Sequence, residues 1–325
     1  TSISAFGELT FNLRDDFRIV TGLRYSKDEK EVSKSRFQSQ AGSTTPDPFL
    51  AAVYGPILQL SGTYAYTLER DEDHVTGNVG LQWNPNADSM LYLNVSSGYK
   101  AGGFDEDNAL GSLANAEFED ETVRGVEAGG KFTVLDGRGR INAALFHAKY
   151  EDLQVSTFDG NASFVVGNAA ESVVTGLEAD WTFAVTEHLI LSGALTLLNA
   201  EYHSFPNSAC TSTQAIAWVA AGNPRATCTQ DLSGRKLQFA PDWAGNIAAQ
   251  FIRPIGNDLE LGLSVDINAS DDTVIAADGD TLLDQKAHEK INARVSLGTT
   301  DGKWLIAVVG KNLGDEATTT FGNDV

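Results

Sequence analysis

Few side chains in this sequence are of types and spacings that could do chemistry. The five histidines, His74, His147, His188, His203 and His288, are scattered. With no H-E-x-x-H run and no i, i+4 pair, their spacing builds no metal site. No G-x-S-x-G nucleophile elbow occurs. Gly137 and Gly139 lack the third glycine of a dinucleotide loop and fall in a tight turn. Asp105 and Asp107 begin like a calcium loop, but Ala109, Leu110 and Ala116 stand where a ligand, a glycine and a glutamate are required. This reading expects no catalytic residue, no cofactor and no metal. Cys210 and Cys228 are the two cysteines of the chain. Their spacing rules out a CxxC redox or metal pair and suits a structural disulfide formed in an oxidising compartment. A bridge closing about 18 residues contributes roughly 3 kcal/mol.

The other regularly placed polar groups lie on segments that alternate strictly between apolar and polar. Phe17, Ile19, Thr21, Leu23 and Tyr25 oppose Arg18 and Arg24; Leu91, Leu93, Val95 and Tyr99 oppose Tyr92, Asn94, Ser96 and Lys100. Val173, Leu177, Ala179, Trp181 and Phe183 oppose Glu178 and Asp180. Leu259, Leu261, Leu263, Val265 and Ile267 oppose Glu260, Ser264, Asp266 and Asn268, and Ile291, Ala293, Val295 and Leu297 oppose Lys290, Asn292, Arg294 and Ser296. Period-two alternation over about ten residues is what a strand between lipid and water needs. Arginines on one face of an oily strand belong toward water, so Arg18 and Arg24 define the inner side.

About twelve such strands are predicted. Turns near residues 15, 87, 138, 187, 256 and 301 are short; residues 28–67, 101–119, 157–169, 203–238 and 271–287 read as long loops. Short turns at one end and long loops at the other are the mark of an outer-membrane barrel, whereas a soluble sandwich would show shorter strands. Trp83, Trp181, Trp243, Trp304, Tyr25, Tyr99 and Tyr150 sit near strand ends, where an interfacial girdle belongs. No run approaches 18 apolar residues, so the chain has no membrane-spanning helix. A net charge of −21 excludes nucleic-acid binding by phosphate neutralisation. The reading is all-β: an antiparallel up-and-down transmembrane barrel with short periplasmic turns and long extracellular loops.

Several ordered motifs carry a family resemblance. FGELTFNL…TGLRYSKDEK, GYKAGGF, ETVRGVEAGGK, the Tyr150–Val155 stretch YEDLQV, LSGRKLQFAPDW and GKNLGDE resemble, in that order, the C-terminal half of a TonB-dependent outer-membrane receptor barrel. The resemblance implies that residues 1–325 are a fragment of the barrel domain, about 12 of roughly 22 strands, with the N-terminal plug and the final strand absent. It implies a location in the outer membrane of a Gram-negative bacterium, among outer-membrane lipid. The implied function is uptake of ferric siderophores or similar large scarce nutrients, energised by the TonB complex through the missing N-terminal part. Arg18, Arg24, Lys100, His147, Lys149, Glu178, Asp180, Glu260 and Arg294 become candidates for lining the lumen, either holding the plug or simply keeping a wet wall hydrated. A passive porin-like channel is the alternative, and a barrel enzyme using His147 a more distant one.

Overall fold

The computed structural model describes residues 1–36, 48–49, 64–105, 113, 116–158, 164–320 and 322. Twelve antiparallel strands form one sheet in chain order: β1 (Ser2–Arg14), β2 (Phe17–Arg36), β3 (Tyr64–Asn86), β4 (Ser89–Lys100), β7 (Glu121–Val134), β8 (Gly139–Phe158), β9 (Phe164–Ala184), β10 (Leu189–Ser204), β13 (Trp243–Ile255), β14 (Leu259–Ser270), β15 (His288–Thr299) and β16 (Leu305–Gly310). Two short hairpins lie outside it, β5 (Gly103–Phe104) with β6 (Glu117–Phe118) and β11 (Ser208–Ala209) with β12 (Thr229–Gln230). Every sheet neighbour is also a sequence neighbour once those hairpins are set aside, so the topology is up-and-down. The sheet is a partial, unclosed barrel wall.

The register carries the alternation across the sheet. Phe251, Leu263, Val295 and Val308 are successive cross-strand partners, as are Ile19, Leu81 and Leu93. This row is open, with Leu263 38% and Val308 74% exposed, and among the described residues no second layer covers it. Displaced by one residue, Gln250, Ser264 and Arg294 form the opposite row, joined by Asp266, Asn268 and Asn292. Asn268 and Asn292 both donate to Asp266, at 2.8 and 2.7 Å. A single-layer wall has no oily interior, so its apolar rows must face lipid.

Cross-strand glycines make room for flat aromatic rings. Gly129 lies opposite Tyr92 and Gly193 opposite Trp181; a methyl group at either would overlap the partner's ring. The missing side chain is thus replaced by the neighbour's aromatic face.

Strands and loops differ from the sequence reading in one systematic way. Strands β2, β3, β8 and β9 run for 20, 23, 20 and 21 residues, about twice the 9–11 needed to cross the apolar band. Residues 28–36 and 64–67 are therefore strand rather than loop, and so are 157–158 and 164–169. Above the bilayer both faces of a strand meet water, the alternation vanishes, and the sequence looks irregular. The prolines Pro46 and Pro56, most of the calcium-like run, and the terminal Phe321–Val325 stretch apart from Gly322 lie outside the described residues.

The loop between β10 and β13 contains a helix that alternation gave no sign of, α1 (Ser212–Ala220). Thr211 caps it, and the Gln214 side chain answers the Thr211 backbone in a capping box. Cys210 and Cys228 are joined, with Cα atoms 5.7 Å apart, and the bridge staples the helix entry to the strand that returns. Beneath it Tyr202, Phe205, Leu232 and Ala170 form a buried apolar cluster.

Two outcomes follow. Val265→Arg places a charge toward lipid and costs about 2–4 kcal/mol. Its neighbour Ser264→Arg faces water and changes stability by no more than about 0.5 kcal/mol; urea unfolding of the protein in lipid vesicles measures both. Reduction of the Cys210–Cys228 bridge removes roughly 3 kcal/mol from the loop alone. Limited proteolysis should then cut within residues 205–240 while the far-ultraviolet β signal is unchanged.

Candidate functional site

The inward face and the segments folded over its extracellular end bring most of the predicted polar residues together. In the wall, Arg18 Nε donates to Gln82 Oε1 at 2.6 Å, and Arg24 reaches Ser4 at 2.7 Å and Ser26 at 3.0 Å. Tyr92 donates to Glu127 at 2.5 Å, and Asn142 to Asp180 at 2.8 Å. Together with Lys131, Glu178 and Thr196 these line a recess of about 410 Å³. Glu260 and Arg294 belong to the same inward rows on β14 and β15.

His147 and Lys149 do not share that face. The register pairs His147 with Val126 and Thr175, in the row that holds Leu145 and Leu177, so it points outward, and Lys149 follows it. Inward at this height is Phe146, whose ring covers Gly176 on β9. His147 Nδ1 pairs with Thr175 Oγ1 at 2.8 Å, and Lys149 bridges Glu151 at 2.8 Å and Glu171 at 3.1 Å. Near the outer rim the outward face has left the hydrocarbon and tolerates charge, so polarity alone no longer identifies the lumen.

Tyr99 departs from the pattern in a related way. Pairing between β3 and β4 stops at Gly77–Ser97. Beyond that point Tyr99 stacks on His74, with ring centroids 3.9 Å apart, and donates to Asp28 at 2.8 Å. Tyr99 is therefore not part of the girdle. Tyr150, paired with Val123, falls in the inward row, while Trp83, Trp243, Trp304 and Tyr25 are exposed. Lys100 is exposed at the end of β4, opposite Glu121.

The turning of Tyr99 folds residues 98–105 and 116–121 over the wall, and these are the residues that alternation missed. Arg70 on β3 is the hub. Its guanidinium meets Glu72 at 2.8 Å, Glu117 at 2.9 Å, Glu119 at 2.7 Å and Asp120 at 3.6 Å, with its side chain only 9% exposed. It stands beyond the bilayer. Burial works to lower its pKa, and the hydrogen bonds it donates to Glu119, Glu72 and Glu117 outweigh that and raise it, so the cation is permanent. Lys30 on β2 donates to the Gly102 carbonyl, where Arg70 leaves no space for a side chain.

From the other side, Gln154 Nε2 donates to the carbonyls of Ala101 at 3.2 Å and Glu119 at 3.0 Å. Its cross-strand partner Asn168 exchanges hydrogen bonds with the Glu119 backbone, at 2.6 and 2.9 Å. GYKAGGF and YEDLQV thus meet in space. A bulge between Tyr150 and Gln154, with Asp152 at φ 56°, aims Gln154 at the cap.

Arg70→Ala leaves Glu72 buried without its cation, and the loss amounts to about 3–5 kcal/mol of local stability. Hydrogen exchange should accelerate in residues 98–105 and 116–121 and hold steady in β13–β15. Gln154→Ala, which removes neutral hydrogen bonds, loosens the same segment by about 1 kcal/mol.

A family model described as "TonB dependent receptor-like, beta-barrel" matches residues 1–313. Among curated proteins, the metal-pseudopaline receptor CntO of Pseudomonas aeruginosa is 30% identical over 126 residues, 39% of this chain and 17% of that protein. The probable TonB-dependent siderophore receptor PiuA of Acinetobacter baumannii is 25% identical over 149 residues, 44% of this chain and 19% of its own. Among solved structures, the ferric yersiniabactin uptake receptor FyuA of Yersinia pestis superposes with a TM-score of 0.74 at 17% identity, covering 99% of this chain and 42% of that one. The siderophore receptor PiuA of A. baumannii gives 0.69 at 18%, covering 98% and 40%. The chain therefore spans about two fifths of the length of these receptors. The match along nearly its whole length, with the strand order and sidedness described above, places the chain in the TonB-dependent receptor β-barrel family, whose members lie in the outer membrane of Gram-negative bacteria.

Proposed function

We propose that residues 1–325 are part of the barrel domain of a receptor that imports a ferric siderophore or a similar metal chelate. Import is driven by TonB acting on a plug domain encoded outside this stretch, and further strands outside it, about ten in a barrel of roughly 22, complete the wall. The observation that carries this reading is the family match combined with relatives whose names are those of metal-chelate and siderophore receptors.

In this reading the inward residues Arg18, Arg24, Glu178, Asp180, Glu260 and Arg294 line the route or face the plug. Charges of both signs suit that role, because a wall of mixed sign holds water and a polar plug surface without trapping a charged chelate. Residues 98–105 and 116–121, folded inward, narrow the extracellular end.

Transport of radio-iron by a strain lacking the gene tests the reading. Across a panel of iron chelates, uptake of at least one falls to background, and a protonophore or loss of TonB has the same effect in the parent strain. Uptake that persists without energy would identify a diffusion channel instead.

A further inference from the structure

Glu72 and His74 alternate on β3, so both project from one face. The inward-folded segment before β7 brings Asp120 against them, and one ligand atom from each of the three lies within 4.8 Å of the others. His74 Nε2 stands 3.6 Å from Asp120 Oδ2. The Glu72 side chain is 8% exposed; its Oε2 takes the Arg70 hydrogen bond, and its Oε1 is buried with no hydrogen-bond partner. His74 Nε2 is likewise buried without one. Two sequestered polar atoms without hydrogen-bond partners, on side chains gathered with a third carboxylate, cost free energy unless something satisfies them.

Charge argues for a cation there. Arg70 faces four carboxylates, those of Glu72, Glu117, Glu119 and Asp120, and cannot balance them alone. Lys30 keeps its positive charge but is directed at the Gly102 carbonyl, which leaves two cations against four carboxylates. A mixed set of one imidazole and two carboxylates suits zinc and its neighbours, whereas calcium and magnesium select oxygen alone. Ligands about 2.0–2.1 Å from a tetrahedral zinc stand about 3.3 Å apart, close to the His74–Asp120 separation.

We propose that Glu72, His74 and Asp120 bind a divalent zinc-type metal ion, with water at the remaining position. The ion ties β3 to the segment entering β7 and fixes the inward-folded cap. Its binding is independent of which chelate the receptor carries.

The test uses the full-length receptor in detergent, stripped with EDTA and titrated with zinc against a fluorescent zinc chelator. Wild type is compared with His74→Ala and Glu72→Gln, and with His188→Ala, which alters a histidine at a turn on the opposite end of the wall. The expected result is the loss of one zinc equivalent, or at least about tenfold weaker binding, in the first two variants, with His188→Ala unchanged. Hydrogen exchange of wild-type residues 116–121 should slow on addition of zinc, a readout that survives if a variant fails to fold. Zinc binding equal in all four proteins, or exchange indifferent to zinc, overturns the proposal.

Discussion

Inside hydrocarbon no water is available to satisfy a peptide group, and that constraint governs this structure. Each backbone N–H and C=O in the apolar band must find a partner within the sheet. Between the two edge strands, β1 and β16, strands paired only with sequence neighbours meet the requirement with the shortest connections. It follows that the wall is one layer thick and that side chains, not a packed interior, decide sidedness. Buried apolar residues such as Tyr202, Phe205 and Leu232 cluster at the extracellular end, where strand ends and loops meet water and hydrophobic packing is worthwhile again.

The same constraint relaxes at the outer rim, and the architecture changes there. Strands continue for several residues beyond the bilayer, bulges appear, and segments leave the ladder to fold back over the inner face. What holds these parts is specific: a guanidinium among carboxylates, a cross-strand Gln–Asn pair clasping backbone carbonyls, and a disulfide beside a capped helix. Such contacts trade generality for position. A buried charge network holds one arrangement because leaving any member unpaired is costly.

The local pattern made the wall legible. Leu259 to Ile267 and Phe17 to Tyr25 reveal their faces because each strand touches oil on one side and water on the other, a contrast that repeats every two residues. His147 and Lys149 misled for the complementary reason. At their height both sides are wet, so a polar residue does not mark the inner face, and only the pairing of His147 with Val126 does. Tyr99 looked like a girdle residue until the end of the β3–β4 ladder turned it onto His74.

By itself the sequence determined the strand number, the alternation of short turns and long loops, the apolar outer rows, and two cysteines poised to pair. Each is a property of neighbouring residues meeting one environment. The tertiary structure decided the meeting of Arg70 with Glu117 and Glu119, the reach of Gln154 to Ala101, and the approach of Asp120 to Glu72 and His74. These join residues dozens of positions apart. No periodicity encodes them, because they depend on where a strand leaves its ladder and which wall it then lies against.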